Sequence, residues 1–263
     1  MTFFDRLAER IETHDTVLCV GLDPDVDRLP SHLTNADLPR WAFNRRIIDA
    51  THEFVAAYKP NAAFYEDPEG WRALRETVAY AEGKGVPVIL DAKRGDVGHT
   101  ARQYAKHLDF ADAITVNPLL GRDSLEPFLS REDKGVFILC RTSNPGGADV
   151  QDLELAAGDR VFERLAALAS VWNANDNVGL VVGATVPDEL ERVRELAPDL
   201  PFLVPGVGAQ GGDVESAVEF GLADGVGLIN ASRSVIFAGE GEHFAKAARS
   251  EAKRLMRRLN EYR

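Results

Sequence analysis

The strongest constraint on the fold is a rhythm: eight short apolar runs recur along the chain, with helical stretches between them. The runs are Val17–Leu22, Tyr58–Phe64, Val86–Asp91, Ala113–Val116, Gly135–Arg141, Val178–Val182, Phe202–Pro205 and Gly225–Asn230. They are rich in Val, Ile and Leu and show little polar alternation. Strands buried on both faces read this way, whereas half-solvated strands alternate. Helical segments such as Trp41–Ala57, Pro68–Lys84, Ala157–Asn173, Pro187–Leu196 and Gly212–Gly221 lie between them, and a last helix runs from about Glu242 to Glu261. Eight such repeats in 263 residues fit a closed (β/α)8 barrel better than an open doubly wound sheet. An open sheet would also carry a dinucleotide fingerprint after its first strand, and "GLDPDVDRLP" contains no G-x-G-x-x-G. No Pro/Gly/Ser linker divides the chain. The expectation is one barrel domain over residues 16–263, preceded by an amphipathic N-terminal helix over residues 1–14.

Charge narrows the function classes. A net charge of -12 argues against a nucleic-acid partner, because no concentrated basic patch offsets the repulsion from a phosphate backbone. Of 30 basic residues only seven are lysine. An acidic, lysine-poor surface suits high salt, and a GC-rich genome gives the same bias. The helix "MTFFDRLAERIE" is charged throughout and unlike a signal peptide, and no apolar run approaches the roughly 18–20 residues of a membrane span. Cys19 and Cys140 sit inside apolar runs and read as buried reduced thiols. Together these features point to a soluble, cytoplasmic protein.

A barrel places its functional groups at the C-terminal ends of its strands. Polar groups do collect there: Asp23 after the first strand, Lys59 on the second, Asp91 and Lys93 on the third, Arg141-Thr142-Ser143 on the fifth. One strand-end aspartate alone could simply cap the next helix; the joint placement favours a site. Strand alternation puts Asp91 and Lys93 on one side and Ala92 on the other. With Lys59 beside them and Asp96 in the following loop, the expected constellation is an alternating row, Lys59–Asp91–Lys93–Asp96. Such a row presents fixed charges to a substrate. A Schiff-base lysine requires desolvation or cationic neighbours, so two flanking aspartates argue against an aldolase. A metal site would need Asp91, Asp96 and His99 to share a cation, a charge that Lys59 and Lys93 already supply.

A second constellation sits at the far end of the chain. "PGVGAQGGD", Pro205–Asp213, is a glycine-dense loop opening a helix, with Gly206 and Gly208 positioned to bring backbone N–H groups to an anion. Arg233, after the eighth strand, adds a two-pronged donor. Barrels commonly hold phosphate between these two loops.

With these residues placed, the chain resembles the orotidine 5′-phosphate decarboxylases over nearly the whole barrel. The resemblance rests on "DAKRGDVGHT", Lys59 in "YKPNAAF", "GLDPD", "RTSNPGG" and "VPGVGAQGGD", and its wording is similar to the second sequence subgroup of the family. It implies cofactor-free, metal-free decarboxylation of orotidine 5′-phosphate to UMP. Lys93 would protonate C6, Asp91 would sit beside the substrate carboxylate, and Lys59 and Asp23 would hold the ribose hydroxyls. Ser143 would read the pyrimidine edge, and Gln210 and Arg233 would grip the phosphate. The resemblance further implies a homodimer in which Asp96 and Thr100 reach into the partner's site, with Val97 near the partner's pyrimidine pocket. The loop after the seventh strand is short, and Ser143–Asp152 is a second candidate for the lid.

The nearest rival is a metal-dependent sugar-phosphate lyase of the same superfamily, of the keto-gulonate phosphate decarboxylase or hexulose phosphate synthase type. It shares D-x-K-x-x-D but is expected to carry a glutamate metal ligand where this chain has Lys59. A non-catalytic barrel used for binding is the third reading, disfavoured because all four charged-row residues are present. His14, His32, His52, His107 and His243 lack metal-ligand spacing, and Trp41, Trp71 and Trp172 read as helix packing.

Overall fold

Hydrogen bonding joins the apolar runs into one all-parallel sheet of eight strands. The computed structural model describes residues 1–207 and 213–263. The strands are β1 (Leu18–Leu22), β2 (Ala57–Pro60), β3 (Ile89–Arg94), β4 (Ala113–Val116), β5 (Gly135–Arg141), β6 (Val178–Val182), β7 (Phe202–Pro205) and β8 (Leu228–Ala231). Their order is β2-β1-β8-β7-β6-β5-β4-β3. The two end strands meet through the bridges Tyr58–Val88 and Asn61–Asp91, and Tyr58 N–H donates to the Pro87 carbonyl at 3.0 Å. The sheet therefore closes into the (β/α)8 barrel that the rhythm implies. Closure removes the sheet edges, and β1, β2, β4, β6 and β8 are buried from end to end, which is why their sequences lack alternation.

Helices wrap the outside. They are α1 (Phe3–His14), α2 (Pro39–Thr51), α3 (Pro68–Gly83), α4 (Gly98–Ala105), α5 (Arg122–Leu129), α6 (Ala148–Gln151), α7 (Val161–Trp172), α8 (Pro187–Leu196), α9 (Val214–Gly221), α10 (Arg233–Ile236) and α11 (Phe244–Asn260). Among the described residues no helix is long and apolar enough to cross a membrane. Helix α1 starts from a capping box: Thr2 Oγ1 accepts from Asp5 N–H at 3.2 Å, and Asp5 returns the bond to Thr2 N–H at 2.7 Å. It seals the N-terminal mouth. Phe3 and Phe4 pack edge-on against Phe137, at 6.0 and 5.5 Å between centroids. Buried Arg10 spreads its guanidinium over the carbonyls of Val55, His52 and Gly85. Gly135 makes this plug possible, since a Cβ there would lie 2.4 Å from the Phe3 ring. With one mouth plugged, the opposite end is left for chemistry.

Three strands depart from expectation by more than one residue at an end. The run Tyr58–Phe64 keeps strand geometry only to Pro60; Asn61 then accepts from Ala63 N–H at 3.1 Å and caps a short 3-10 turn. The third strand begins at Ile89, after Pro87, and continues past Asp91 to Arg94. The eighth begins at Leu228, because Gly225 at φ 81° and the Ala223–Val226 bridge form a turn.

Candidate active site

At the C-terminal mouth Lys59 from β2 and Lys93 from β3 converge on one carboxylate. Lys59 Nζ donates to Asp91 Oδ2 at 2.7 Å, and Lys93 Nζ donates to Asp91 Oδ1 at 2.6 Å. Lys59 and Asp91 are only 5 % and 7 % exposed, so this pair is nearly free of solvent screening. Burial by itself would raise the Asp91 carboxyl; the two ammonium groups outweigh it and hold the group well below the ordinary carboxylate range. Burial likewise works against the Lys59 ammonium, and Asp91 with Asp23 more than restores it, to above the ordinary lysine range. Neither group changes charge near neutrality. Both carboxylate oxygens of Asp91 are committed to ammonium groups. Among the described residues no three His, Cys, Asp or Glu side chains cluster as metal ligands would.

Regular alternation is not what aligns Asp91 with Lys93. Between Leu90, paired with Ile114, and Arg94, paired with Val116, β3 advances four residues while β4 advances two. Asp91, Ala92 and Lys93 thus bulge opposite the single residue Thr115. Lys93 sits in the left-handed region at φ 48°, which costs a non-glycine residue roughly 1–2 kcal/mol. The two side chains do meet, but a strained bulge rather than a strand pleat brings them together.

The expected row also ends one residue early. Asp96 does not pair with Lys93 of its own chain; its carboxylate accepts from Val97 N–H at 2.7 Å. The contiguous array among the described residues is Lys59–Asp91–Lys93. Thr100 lies exposed on α4, as does His99.

Asp23 joins from β1's end. Its Oδ2 accepts from Ser232 Oγ at 2.5 Å, while Oδ1 is buried with no partner among the described residues. That oxygen is the kind of vacant acceptor a sugar hydroxyl satisfies. Gly21 permits the approach, since a Cβ there would fall 2.6 Å from Ser232 Cβ. The backbone before Asp23 is fixed from behind: Asn44 donates to Tyr65 Oη at 2.7 Å, and Tyr65 Oη donates to the Leu22 carbonyl at 2.8 Å. This gives Asn44 a structural place, and Asn61 bridges β2 to Asp91 on β3.

Ser143 follows β5, its carbonyl accepting from Thr185 Oγ1 at 3.0 Å. It packs against Gly183, where a Cβ would come within 2.8 Å of its backbone. The candidate lid Ser143–Asp152 is tied at its far end: buried Arg141 donates to Asp152 at 3.0 Å, and Gln151 accepts from Thr142 N–H at 2.9 Å. Gly206 takes φ 107°, a conformation open chiefly to glycine. Gly208 and Gln210 lie outside the described residues. Arg233 begins α10, exposed and without an ion pair among the described residues. Three site residues escaped sequence reasoning: Thr115, Ser232 and Tyr65. Thr115 alone carried a readable signal, a hydroxyl in a buried apolar strand.

A closed barrel whose mouth carries buried, alternating charge is an arrangement suited to an enzyme that works through fixed electrostatics. The comparisons narrow this class. The chain belongs to the orotidine 5′-phosphate decarboxylase / HUMPS family, whose model matches residues 16–248. It is 69% identical to the orotidine 5′-phosphate decarboxylase of Haloarcula marismortui over the full length of both chains. It superposes on Leishmania donovani OMP decarboxylase with a TM-score of 0.85 and 44% identity, covering 100% of this chain and 98% of that one. Leishmania donovani UMP synthase matches at TM-score 0.87 and 46% identity, and there the chain spans 56% of the longer protein.

Proposed function

We propose that the chain decarboxylates orotidine 5′-phosphate to UMP in pyrimidine biosynthesis, with Lys93 as the proton donor. The C6–carboxylate bond breaks, carbon dioxide leaves, and the electron pair stays at C6. The Lys93 ammonium stabilises that developing carbanion and then gives it a proton; solvent reprotonates the amine. Asp91, anionic at neutral pH, lies beside the substrate carboxylate, and their repulsion ends when carbon dioxide departs. Lys59 and the vacant Asp23 oxygen take the ribose hydroxyls, and Ser143 takes the pyrimidine edge. Gly206, Gly208, Gln210 and Arg233 enclose the phosphate. No metal and no organic cofactor enters these steps.

The working unit in this reading is a homodimer. The Asp96 carboxylate is bonded to Val97 N–H rather than to its own Lys93, and Val97, Leu119 and Leu120 are exposed apolar side chains on the loops after the neighbouring strands β3 and β4. A second copy seated there covers the apolar surface and brings Asp96 and Thr100 to the partner's site. The reaction is assigned to the cytoplasm, in keeping with two buried free thiols.

The observation that carries the assignment is Lys59 on β2, where a metal-dependent member of the superfamily needs a carboxylate. Two measurements test it. Lys93→Ala is expected to lower turnover of orotidylate by at least about 1000-fold while UMP still binds. Wild-type activity is expected to survive EDTA. Turnover retained in Lys93→Ala, or abolished by the chelator, refutes the assignment.

A further inference from the structure

We infer that Thr115 is the positioning residue that aims Lys93, acting through the backbone of the β3 bulge; the inference rests on the decarboxylase reading. Thr115 lies on β4 between Ile114 and Val116 and is 1 % exposed. An apolar β-branched residue is the default at such a position, and a buried hydroxyl is unfavourable unless bonded. This one is fully used. Its oxygen accepts from Lys93 N–H at 2.9 Å, and its proton goes to Asp91 Oδ1 at 2.9 Å.

Both contacts fall where the ladder has a gap. The bulge leaves Asp91, Ala92 and Lys93 facing one residue of β4, so Lys93 N–H has no strand carbonyl opposite it. The Thr115 hydroxyl takes the missing carbonyl's place, and Asn117 N–H then rejoins the ladder at the Arg94 carbonyl, at 2.8 Å. The left-handed conformation of Lys93 is thereby held by a specific bond.

The Lys93 side chain needs such control. It is 48% exposed, against 6% for Lys59, so packing does not fix its course. Its direction is set where the chain leaves the backbone, at φ 48°, and at its tip by Asp91. Thr115 binds both ends of that loop: the lysine's amide and the carboxylate its ammonium meets. Through one hydroxyl, donor and counter-ion are kept in register. Its hydroxyl is occupied by Lys93 N–H and Asp91, so Thr115 acts through them.

The test compares Thr115→Val, Thr115→Ser and wild type with orotidylate as substrate. Valine keeps the shape and removes both bonds; serine keeps the hydroxyl. Thr115→Val is expected to lower kcat by about tenfold to a hundredfold, the range for stranding one buried donor. KM and UMP affinity should stay within about threefold, because the binding groups are untouched. Thr115→Ser should recover most of kcat, and a structure of Thr115→Val should show Lys93 relaxed to negative φ. If the valine variant does not fold, Thr115→Ala against Thr115→Ser carries the same comparison. An unchanged kcat, a serine variant no better than valine, or equal losses in kcat and UMP affinity each overturn the inference. Wild type without orotidylate turnover would instead sink the decarboxylase reading.

Discussion

Lys59→Met separates the electrostatics of the site from its chemistry. The substitution keeps the buried stem and deletes the ammonium that holds Asp91 Oδ2 at 2.7 Å. Asp91 remains buried, with Lys93 and Thr115 still on its other oxygen. Removing one partner of a buried pair costs about 3–5 kcal/mol, and the surviving contacts argue for the lower end, about 3 kcal/mol. For a chain this size that corresponds to a fall in Tm of roughly 6–12 °C. Urea unfolding at pH 7 measures the free energy directly. Lys59→Met with Asp91→Asn removes both charges together and is expected to be more stable than Lys59→Met alone.

The pH dependence checks the cause. Asp91 is depressed in the folded state, so its contribution is complete above its unfolded value of 3.8 and fades as pH falls below it. Lys59 is raised, so its contribution is complete below 10.5 and fades as pH climbs above that. The penalty for Lys59→Met is therefore expected to be flat between about pH 5 and 9. In acid it should shrink, because the variant's less compensated Asp91 takes up a proton sooner than the wild type's. A variant as stable as wild type at pH 7, or a penalty that drifts across pH 5–9, would contradict this electrostatic origin.

Two further outcomes follow from the site. On the homodimer proposal, mixing Lys93→Ala with Asp96→Ala is expected to restore about a quarter of wild-type turnover, because half the dimers would be hybrids with one intact site of two; no recovery after subunit exchange refutes shared sites. Ser232→Ala, by releasing Asp23 Oδ2, should raise KM for orotidylate roughly tenfold with a smaller change in kcat, and steady-state kinetics decide it.

Lys59, Asp91 and Lys93 were legible because charge at the end of an apolar run has few structural uses. Thr115 and Ser232 were not: the threonine in "AITV" signals a buried hydroxyl without saying what it bonds, and a serine in "NASRS" is ordinary filler for a turn. Their roles appear only once β4 is laid beside β3 and β8 beside β1. Asp96 misled through its nearness in sequence. Three residues after a left-handed lysine the chain has turned, and the carboxylate caps its own loop instead of extending the row. The strand boundaries failed for local reasons: Asn61 captures a backbone amide, Pro87 withholds one, and Gly225 opens a turn. Periodicity locates elements; it is blind to side chains that interrupt them.

The size of the β3 bulge explains how the barrel tolerates it. A slip of one residue sends every later side chain of a strand to the opposite face. Here β3 gains two residues on β4, so Arg94 meets Val116 with the inside–outside phase intact. The site acquires extra length, a left-handed lysine and an amide for Thr115, and since Arg94 ends β3 no later strand residue is displaced. Strand β5 slips by a single residue between Leu139 and Arg141, which would be ruinous in mid-strand. It does so only at its final pairing, where the Arg141 side chain holds Asp152 and no later strand residue is displaced. In both strands the irregularity lies at the catalytic mouth, and its size and place are those that leave the apolar wall of the barrel in phase.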